Sequence, residues 1–448
     1  MPLLGVDADS VRALFIAGMC TAAIAATHGV GQRRVQQLVA DLRPEPLAEP
    51  DDDELEALII HQRWRLGSSY GTQMMEGALA EAYPQLHCSR RRILNMLRNL
   101  YPLEFKARED WARQRLERAH YEGHHWMYSV HLDFDGKLQE YGFYVGSMVE
   151  GVSRAQMALV CVTTKIPLVA YLAIFLPFVQ NYGFPEQLIT DKGQEWTLIV
   201  FVCNLMQARY RPHLQRSMHR AVEQSKCVVG ARACFGRLAA RLRSRARARF
   251  GLLAARLALT APTVLPCDSR LISRFNTRVE KFNYEINVRV FIPVRMLLNA
   301  MEAAVILDKD NPLHVGAFST LMQPLVQIGL DRLTKAWNYH RVRAVRGLPG
   351  SGGRPVDRAR RFPNPGMLLA LPLGFDAVAD YESVLGTLRR EPQGAAAQDR
   401  LYGQPAAQQQ RATGVAFACG GASSEQLWEE ILHGNYMRFV LMYMARLH

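Results

Sequence analysis

The spacing of apolar residues changes near residue 127, and this change divides the chain into a helical N-terminal part and a mixed middle part. Between residues 10 and 100, apolar positions recur three or four residues apart, which is the period of an amphipathic helix. From residue 128 to 134, apolar and polar residues alternate, which predicts a strand. Further strands are predicted over residues 141–149 and 155–164, and a turn followed by a short strand over residues 183–191. Helices are predicted over residues 166–182, 195–209 and 218–229.

The predicted order of these elements, β-β-β-α-β-α-α, is that of an RNase H-like mixed sheet. We therefore predict an α/β fold with an RNase H-like core, flanked by N-terminal helix-turn-helix-like units and a helical C-terminal region. The predicted divisions are a helix-turn-helix-like unit (residues 1–43), an acidic Pro-rich linker (44–57), a second helical unit (58–120), the α/β core (121–230), an Ala/Arg-rich insert (231–266), a helical continuation (267–345), and a low-complexity loop with a final helix (346–448).

The first helical unit has the small residues and the turn that a helix-turn-helix needs. Ser10 is predicted to cap a first helix, and Gly29 to form the turn between the next two helices. Arg33 and Arg34 then stand at the start of a basic amphipathic helix, where base edges are read in such motifs. A plain helical hairpin remains the alternative.

The second helical unit contains another basic helix. Ser89 is a good N-cap for a helix with Ile93, Leu94 and Leu97 on one apolar stripe. Arg90, Arg91 and Arg92 make its first turn basic. The helix is a second candidate for contacting DNA, and a solvated charged face is the alternative.

Net charge adds little to this picture, because much of it is concentrated in one stretch. The chain has 448 residues and a formal net charge of +13, which favours polyanionic partners such as nucleic acid. Residues 230–266 contain eight Arg and no acidic residue. This stretch is either a basic arm that grips the DNA backbone or low-complexity sequence from a decayed element.

Cysteines and hydropathy point to an intracellular protein. No two of the eight Cys are spaced as C-x-x-C, and none pairs with His at zinc-finger spacing, which favours free thiols. Asp7 and Asp9 stand where a signal peptide needs a basic segment. The strongest apolar run, residues 166–179, is too short to span a bilayer. We expect a soluble intracellular or nuclear protein with no membrane partner.

An ordered set of short motifs follows the change of period. It comprises H-x-D-x-x-x-K-L from His131, E-G-x-S-R from Glu150, Y-G-x-P from Tyr182, D-x-G-x-E from Asp191, and W-N-x-H from Trp337. This set resembles the retroviral-type integrase core of eukaryotic mobile elements, a member of the RNase H-like DDE superfamily. The resemblance covers roughly residues 60–345.

The resemblance implies metal-dependent DNA integration or strand transfer with Mg²⁺ or Mn²⁺. It makes Asp133 the first acidic ligand and Asp191 the second. The family's third acid belongs to S-x-H-N-x-x-x-E, and Ser217, His219 and Glu223 match that pattern after a shortened gap. Two metal ions bound by such acids serve phosphodiester chemistry. DNA is the implied partner, and a homo-oligomer is the implied assembly.

Several residues depart from the family pattern and leave a second hypothesis open. Trp196 and Arg220 stand where the family has Asn, and the insert follows Glu223. The alternative to an active enzyme is a catalytically inactive DNA-binding or scaffold relic of the same fold. Arg154 and Lys192 are candidate phosphate contacts or plain solvated charges, and Asp135 and Glu195 are expected to be surface acids.

Overall fold

A computed structural model provides the fold. It describes residues 8–16, 21–39, 47–104, 125–191, 193–210, 219–221, 277–342, 353–357, 371–372, 374–388, 415–416 and 418–447. Within these residues the protein is a mixed α/β structure with one sheet and a predominance of helices. The α/β class predicted from the sequence is confirmed.

The first three helices form a small unit with its own apolar centre. They are α1 (Ala8–Ile16), α2 (Thr21–His28) and α3 (Gln32–Leu38). Val11, Ile24 and Val35 pack together at its centre with no exposed surface. The chain turns between α2 and α3 at Gly29, whose φ of 64° suits glycine. Ser10 lies inside α1, so its predicted capping role is wrong.

The second helical unit comprises α4 (Asp52–Leu66), α5 (Thr72–Ala82) and α6 (Arg90–Leu100). The acidic segment predicted as a linker instead opens α4, because Asp51 accepts a 2.8 Å hydrogen bond from the backbone N of Glu54. Negative charge at a helix N-terminus is favourable, which explains why this acidic run is helical. The predicted cap of α6 is confirmed, since Ser89 Oγ accepts from the backbone N of Arg92.

The sheet has five strands in the spatial order β3-β2-β1-β4-β5. The strands are β1 (Ser129–Asp135), β2 (Tyr144–Glu150), β3 (Gln156–Val162), β4 (Gln187–Thr190) and β5 (His219–Ala221). The first three are antiparallel neighbours, whereas β4 runs parallel to β1 and β5 runs parallel to β4. The helix predicted from residue 218 is wrong at β5, where three residues extend the parallel half of the sheet.

Helices cover both faces of the sheet. One helical segment, α7, consists of Pro167–Val169, a π-helical stretch Ala170–Phe175 and Leu176–Tyr182. The others are α8 (Thr197–Tyr210), α9 (Thr277–Ile286), α10 (Ile292–Ala303), α11 (Pro312–Tyr339), α12 (Ala377–Leu385), α13 (Ser424–Leu432) and α14 (Met437–Leu447). The single C-terminal helix predicted from residue 425 is therefore two helices, and Gly434 lies between them at φ 77°.

Two apolar cores lie on opposite sides of the sheet. Val130 and Leu132 of β1 face the core built with α7 and α8. The opposite core joins β2 and β3 to α4–α6, α9–α11, α13 and α14. Successive side chains of a strand alternate between faces, so His131, Asp133 and Asp135 point to the side covered by α9.

Side chains of α11 cover the exposed edge of β3. Gln327 Oε1 accepts from the backbone N of Cys161, and its Nε2 donates to the carbonyl of Leu159. Asn338 accepts from the backbone N of Gln156 and donates to its carbonyl, both at 2.8 Å. These bonds pair the free backbone groups of an edge strand, which would otherwise be open to another chain. Of the described helices, none is both long and apolar enough to cross a membrane.

Candidate active site

Asp133 and Asp191 occupy equivalent positions on neighbouring parallel strands. In the register of β1 and β4, His131 pairs with Ile189. Asp133 lies two residues after His131, and Asp191 lies two residues after Ile189, directly beyond the end of β4. Since paired strands lie about 4.8 Å apart, this register brings the two carboxylates together at one edge of the sheet.

The environment of Asp133 favours its protonated form. Burial, and then the negative charge of Asp191, raise the pKa of Asp133 to about 7. Two donors oppose this shift: the backbone N of Phe134 donates to Oδ1 at 2.9 Å, and Asn283 Nδ2 donates to Oδ2 at 2.9 Å. Burial makes the largest contribution to the shift, and the contribution of Asp191 reflects its proximity to Asp133. Such shifts are common at functional sites.

Asp191 is held through a single oxygen. Trp196 Nε1 donates to Asp191 Oδ1 at 2.5 Å, and the backbone N of Gly193 donates to the same atom at 3.2 Å. A Cβ at Gly193 would lie 2.4 Å from the carboxyl carbon of Glu195, so a side chain there would displace the Glu195 carboxylate. The D-x-G-x-E turn that follows β4 thus holds Gly193 and the Glu195 carboxylate close together.

Asn283, which is 150 positions from Asp133 in sequence, contacts the Asp133 carboxylate. It lies on α9, and its side chain is 9% exposed. While Nδ2 donates to Asp133, Oδ1 is buried with no hydrogen-bond partner among the described residues. A buried amide oxygen on the residue that contacts the Asp133 carboxylate is a further oxygen of the kind that Mg²⁺ and Mn²⁺ bind.

Other acids near the pair are engaged in local bonds. Asp135 is 5% exposed and accepts from both the backbone N and Nζ of Lys137, at 3.0 Å each. The Glu195 side chain is 12% exposed, and its carboxylate lies 3.7 Å from Lys165 Nζ. The prediction that Asp135 and Glu195 are surface acids is wrong. His131 is fully buried.

The third predicted ligand, Glu223, lies outside the described residues. Within the described part of the chain, no group of three or more His, Cys, Asp or Glu side chains is arranged to hold a metal ion. The helix that reaches Asp133 is α9, which carries Glu280 three residues before Asn283. Residues three apart share a helix face, so Glu280 lies on the side of α9 that is nearest to Asn283.

The sequence contains a signal for α9 that the motif match at Glu223 concealed. The pattern S-x-H-N-x-x-x-E also fits Ser273, Asn276 and Glu280, with Phe275 in place of His. This second match keeps the Asn that Arg220 replaces in the first.

The arginines predicted to contact DNA differ in their exposure and in their ion pairs. Arg33, Arg34, Arg90 and Arg91 are exposed on α3 and α6. Arg92 is paired with Asp52 at 2.6 Å and lies 3.9 Å from Glu49.

The structure gives no support for Arg154 or Lys192 as phosphate contacts. Arg154 is half-buried at a positive φ of 67°, and its carbonyl accepts from Trp337 Nε1 at 2.8 Å. Its backbone therefore fixes the turn between β2 and β3 against α11. Lys192 lies outside the described residues.

No protein-family model matches this chain, and no curated protein matches its sequence.

Proposed function

We propose that this protein is a mobile-element-derived, integrase-like enzyme that cuts or joins DNA strands with the help of divalent metal ions. The observation that carries the proposal is the position of Asp133 on β1 and of Asp191 directly after β4, the parallel strand beside it. The negative charge of Asp191 contributes to the raised pKa of Asp133, and a cation bound by both carboxylates would offset that repulsion.

The sheet supports an RNase H-like interpretation of the fold. Its order places β1 in the centre, two antiparallel strands on one side and two parallel strands on the other. In a fold of that type, the first acid lies on the first strand and the second follows the fourth. Asp133 and Asp191 have those positions.

The oxygen atoms around Asp133 and Asp191 fit a hard cation. Carboxylate oxygens of Asp133 and Asp191, together with the unpartnered Oδ1 of Asn283, form the oxygen-rich set that Mg²⁺ and Mn²⁺ prefer. Bound there, the metal supplies charge stabilisation at phosphate oxygens and an activated nucleophile. Asp133 must give up its proton when a cation binds, so binding weakens below the pKa of Asp133, which is about 7.

We assign the third carboxylate to Glu280, with Glu223 as the alternative. Glu280 stands on α9, the helix whose Asn283 contacts Asp133, and its side chain is exposed. An acid one helical turn from Asn283 is placed to serve an open site. Substituting Glu280→Gln and Glu223→Gln in separate full-length variants distinguishes the two, because only the ligand's substitution abolishes cleavage while leaving DNA binding intact.

DNA binding is assigned to the exposed arginines of the two N-terminal units. Arg33 and Arg34 begin α3, and Arg90 and Arg91 begin α6. Guanidinium groups at helix N-termini are suited to phosphate and base-edge contacts. Arg92 is assigned a structural role because of its ion pair with Asp52. As a strand-transferring enzyme, the protein is expected to act as a homo-oligomer.

The proposal is tested with the full chain on an end-labelled DNA duplex in Mn²⁺ and in EDTA. We expect Mn²⁺-dependent nicking or joining by the wild-type protein and none by Asp133→Asn. The matched control is Asp310→Asn, which changes an exposed aspartate in the turn before α11 and should retain activity. Equal activity in Asp133→Asn and the control would contradict the proposal.

A second candidate function is a catalytically inactive DNA-binding protein of the same fold. It is favoured by the N–H donors of Trp196 and Asn283, which bind the oxygens of both aspartates. Salt-sensitive DNA binding without metal-dependent cleavage, and without Mn²⁺ binding by the purified protein, would establish it.

A further inference from the structure

Trp196 is fixed beside the aspartate pair by the strand that carries Asp133. Its indole is 1% exposed and stacks on the ring of Phe134, with centroids 4.8 Å apart and planes inclined by 12°. Phe134 follows Asp133 on β1. The indole therefore has little freedom to turn away from the site.

The indole N–H has a carboxylate as its partner. Trp196 Nε1 and the backbone N of Gly193 both donate to Oδ1 of Asp191. A carboxylate oxygen has two lone-pair positions, and these two donors fill them. Oδ2 of Asp191 is then the oxygen left to contact a cation.

We propose that Trp196 is a positioning residue that makes Asp191 a one-oxygen ligand, so that the site selects Mg²⁺ and Mn²⁺ against Ca²⁺. This inference rests on the proposed metal site. Mg²⁺ demands octahedral geometry and usually takes one oxygen from each carboxylate, whereas Ca²⁺ accepts six to eight ligands and readily takes both oxygens. A carboxylate with one oxygen occupied by an indole is suited to the smaller ion.

A purely structural role for the same indole makes a different prediction. Buried indole N–H groups need an acceptor, and any nearby oxygen satisfies that need. Trp337 illustrates this role, since its Nε1 donates to the backbone carbonyl of Arg154 at 2.8 Å. If Trp196 acts only in this way, its removal affects folding and leaves the preference among metal ions unchanged.

The test compares Trp196→Phe with Trp337→Phe in the full chain. Both variants lose a buried indole hydrogen bond, and only the first loses a bond to a carboxylate. Dissociation constants for Mg²⁺, Mn²⁺ and Ca²⁺ are measured separately by calorimetry, without DNA. We expect Trp196→Phe to lower the preference for Mg²⁺ over Ca²⁺ by about tenfold, the scale on which groups behind a ligand affect metal affinity.

Each outcome separates this inference from the proposed function. An unchanged preference in Trp196→Phe, with Mg²⁺ binding that Asp133→Asn abolishes, overturns the role of Trp196 and leaves the metal site standing. An equal change in Trp337→Phe also overturns that role. Absence of metal binding by the wild-type protein overturns both proposals.

A second variant protects the test against misfolding of Trp196→Phe. Placing β-(3-benzothienyl)alanine at position 196 retains both fused rings and replaces the N–H by sulfur. The stack on Phe134 is kept and the bond to Asp191 is lost. The same loss of preference is expected, and an unchanged preference in this folded variant contradicts the role of Trp196.

Discussion

Asn338 and Gln156 are paired like residues on neighbouring strands, although Asn338 lies on a helix. The side-chain amide of Asn338 accepts from the backbone N of Gln156 and donates to its carbonyl, each at 2.8 Å. The helix therefore continues the hydrogen-bonding pattern of the sheet at the start of β3. The motif W-N-x-H, in which Asn338 occurs, has a structural role here rather than a chemical one.

We expect Asn338→Ala to lower the free energy of unfolding by about 1–3 kcal/mol, because it removes the hydrogen-bond partners of the backbone N–H and carbonyl of Gln156, a residue that is 1% exposed. Asn338→Asp is the matched variant, since it retains an acceptor for Gln156 N and loses the donor. It should be less stable than wild type at neutral pH, where the carboxyl is ionised, because only a protonated carboxyl could donate to the Gln156 carbonyl. Urea unfolding measures both, and an Asn338→Ala protein as stable as wild type would contradict the pairing.

Gly77 sets the distance between α5 and α11. A Cβ at this position would lie 2.1 Å from the carbonyl oxygen of Ala336 and 2.8 Å from the backbone N of His340. Both are backbone atoms, so the helices must separate to admit a methyl group. We expect Gly77→Ala to destabilise the protein by about 3 kcal/mol.

The control for Gly77→Ala is Gly31→Ala. Gly31 precedes α3 at φ −67°, and a Cβ there would have no atom within 4 Å. Its effect on the free energy of unfolding should stay within about 0.5 kcal/mol. Thermal unfolding followed by circular dichroism measures both variants, and similar losses would show that helix approach is not the cause.

Ionisation of Asp133 should make stability depend on pH. Burial and the charge of Asp191 raise its pKa to about 7, from an ordinary value of 3.8. Below pH 4 the group is neutral in both states. As pH rises towards 7 the unfolded state releases its proton first, so the free energy of unfolding decreases.

Asp133→Asn should therefore be more stable than wild type at pH 8, by about 1–3 kcal/mol, and similar to it at pH 4. Urea unfolding at the two pH values, without divalent metal, measures the difference. The exposed substitution Asp310→Asn should show no such trend. A constant difference between Asp133→Asn and wild type across this range would contradict the raised pKa.

Arg91 and Arg92 are neighbours in sequence with different expected effects on DNA binding. Arg91 is exposed, whereas Arg92 is engaged with Asp52 at 2.6 Å. We expect Arg91→Ala to weaken DNA binding and to reduce the slope of log affinity against log salt by about one. Arg92→Ala should leave that slope close to the wild-type value. Fluorescence anisotropy over a salt series separates them, and equal slopes would contradict the assignment.

The sequence predicted the elements whose patterns are local. The strands from Ser129, Tyr144 and Gln156 were placed within a few residues, because alternation is a property of neighbouring positions. β5 was missed because three residues are too few to show alternation. The break at Gly434 was missed because the apolar spacing on both sides resembles that of one helix.

The candidate site was only partly predictable. Asp133 and Asp191 were identified from motifs, but their pairing depends on the register of two strands that spacing does not fix. Asn283 is 150 positions from Asp133, and no local pattern links them. The roles of Trp196 and Gly193 follow from one turn whose geometry is set by tertiary packing.

The 28-residue helix α11 has a consequence for how the protein unfolds. It contacts α5 from the N-terminal part, β3 of the sheet, and α13 and α14 from the C-terminal part. Gly329 lies so close to Trp428 of α13 that a Cβ would come within 2.4 Å of the indole. Segments more than 300 residues apart in sequence thus form one cooperative unit, and a fragment restricted to the sheet would expose the apolar side chains of β2 and β3 that these helices cover.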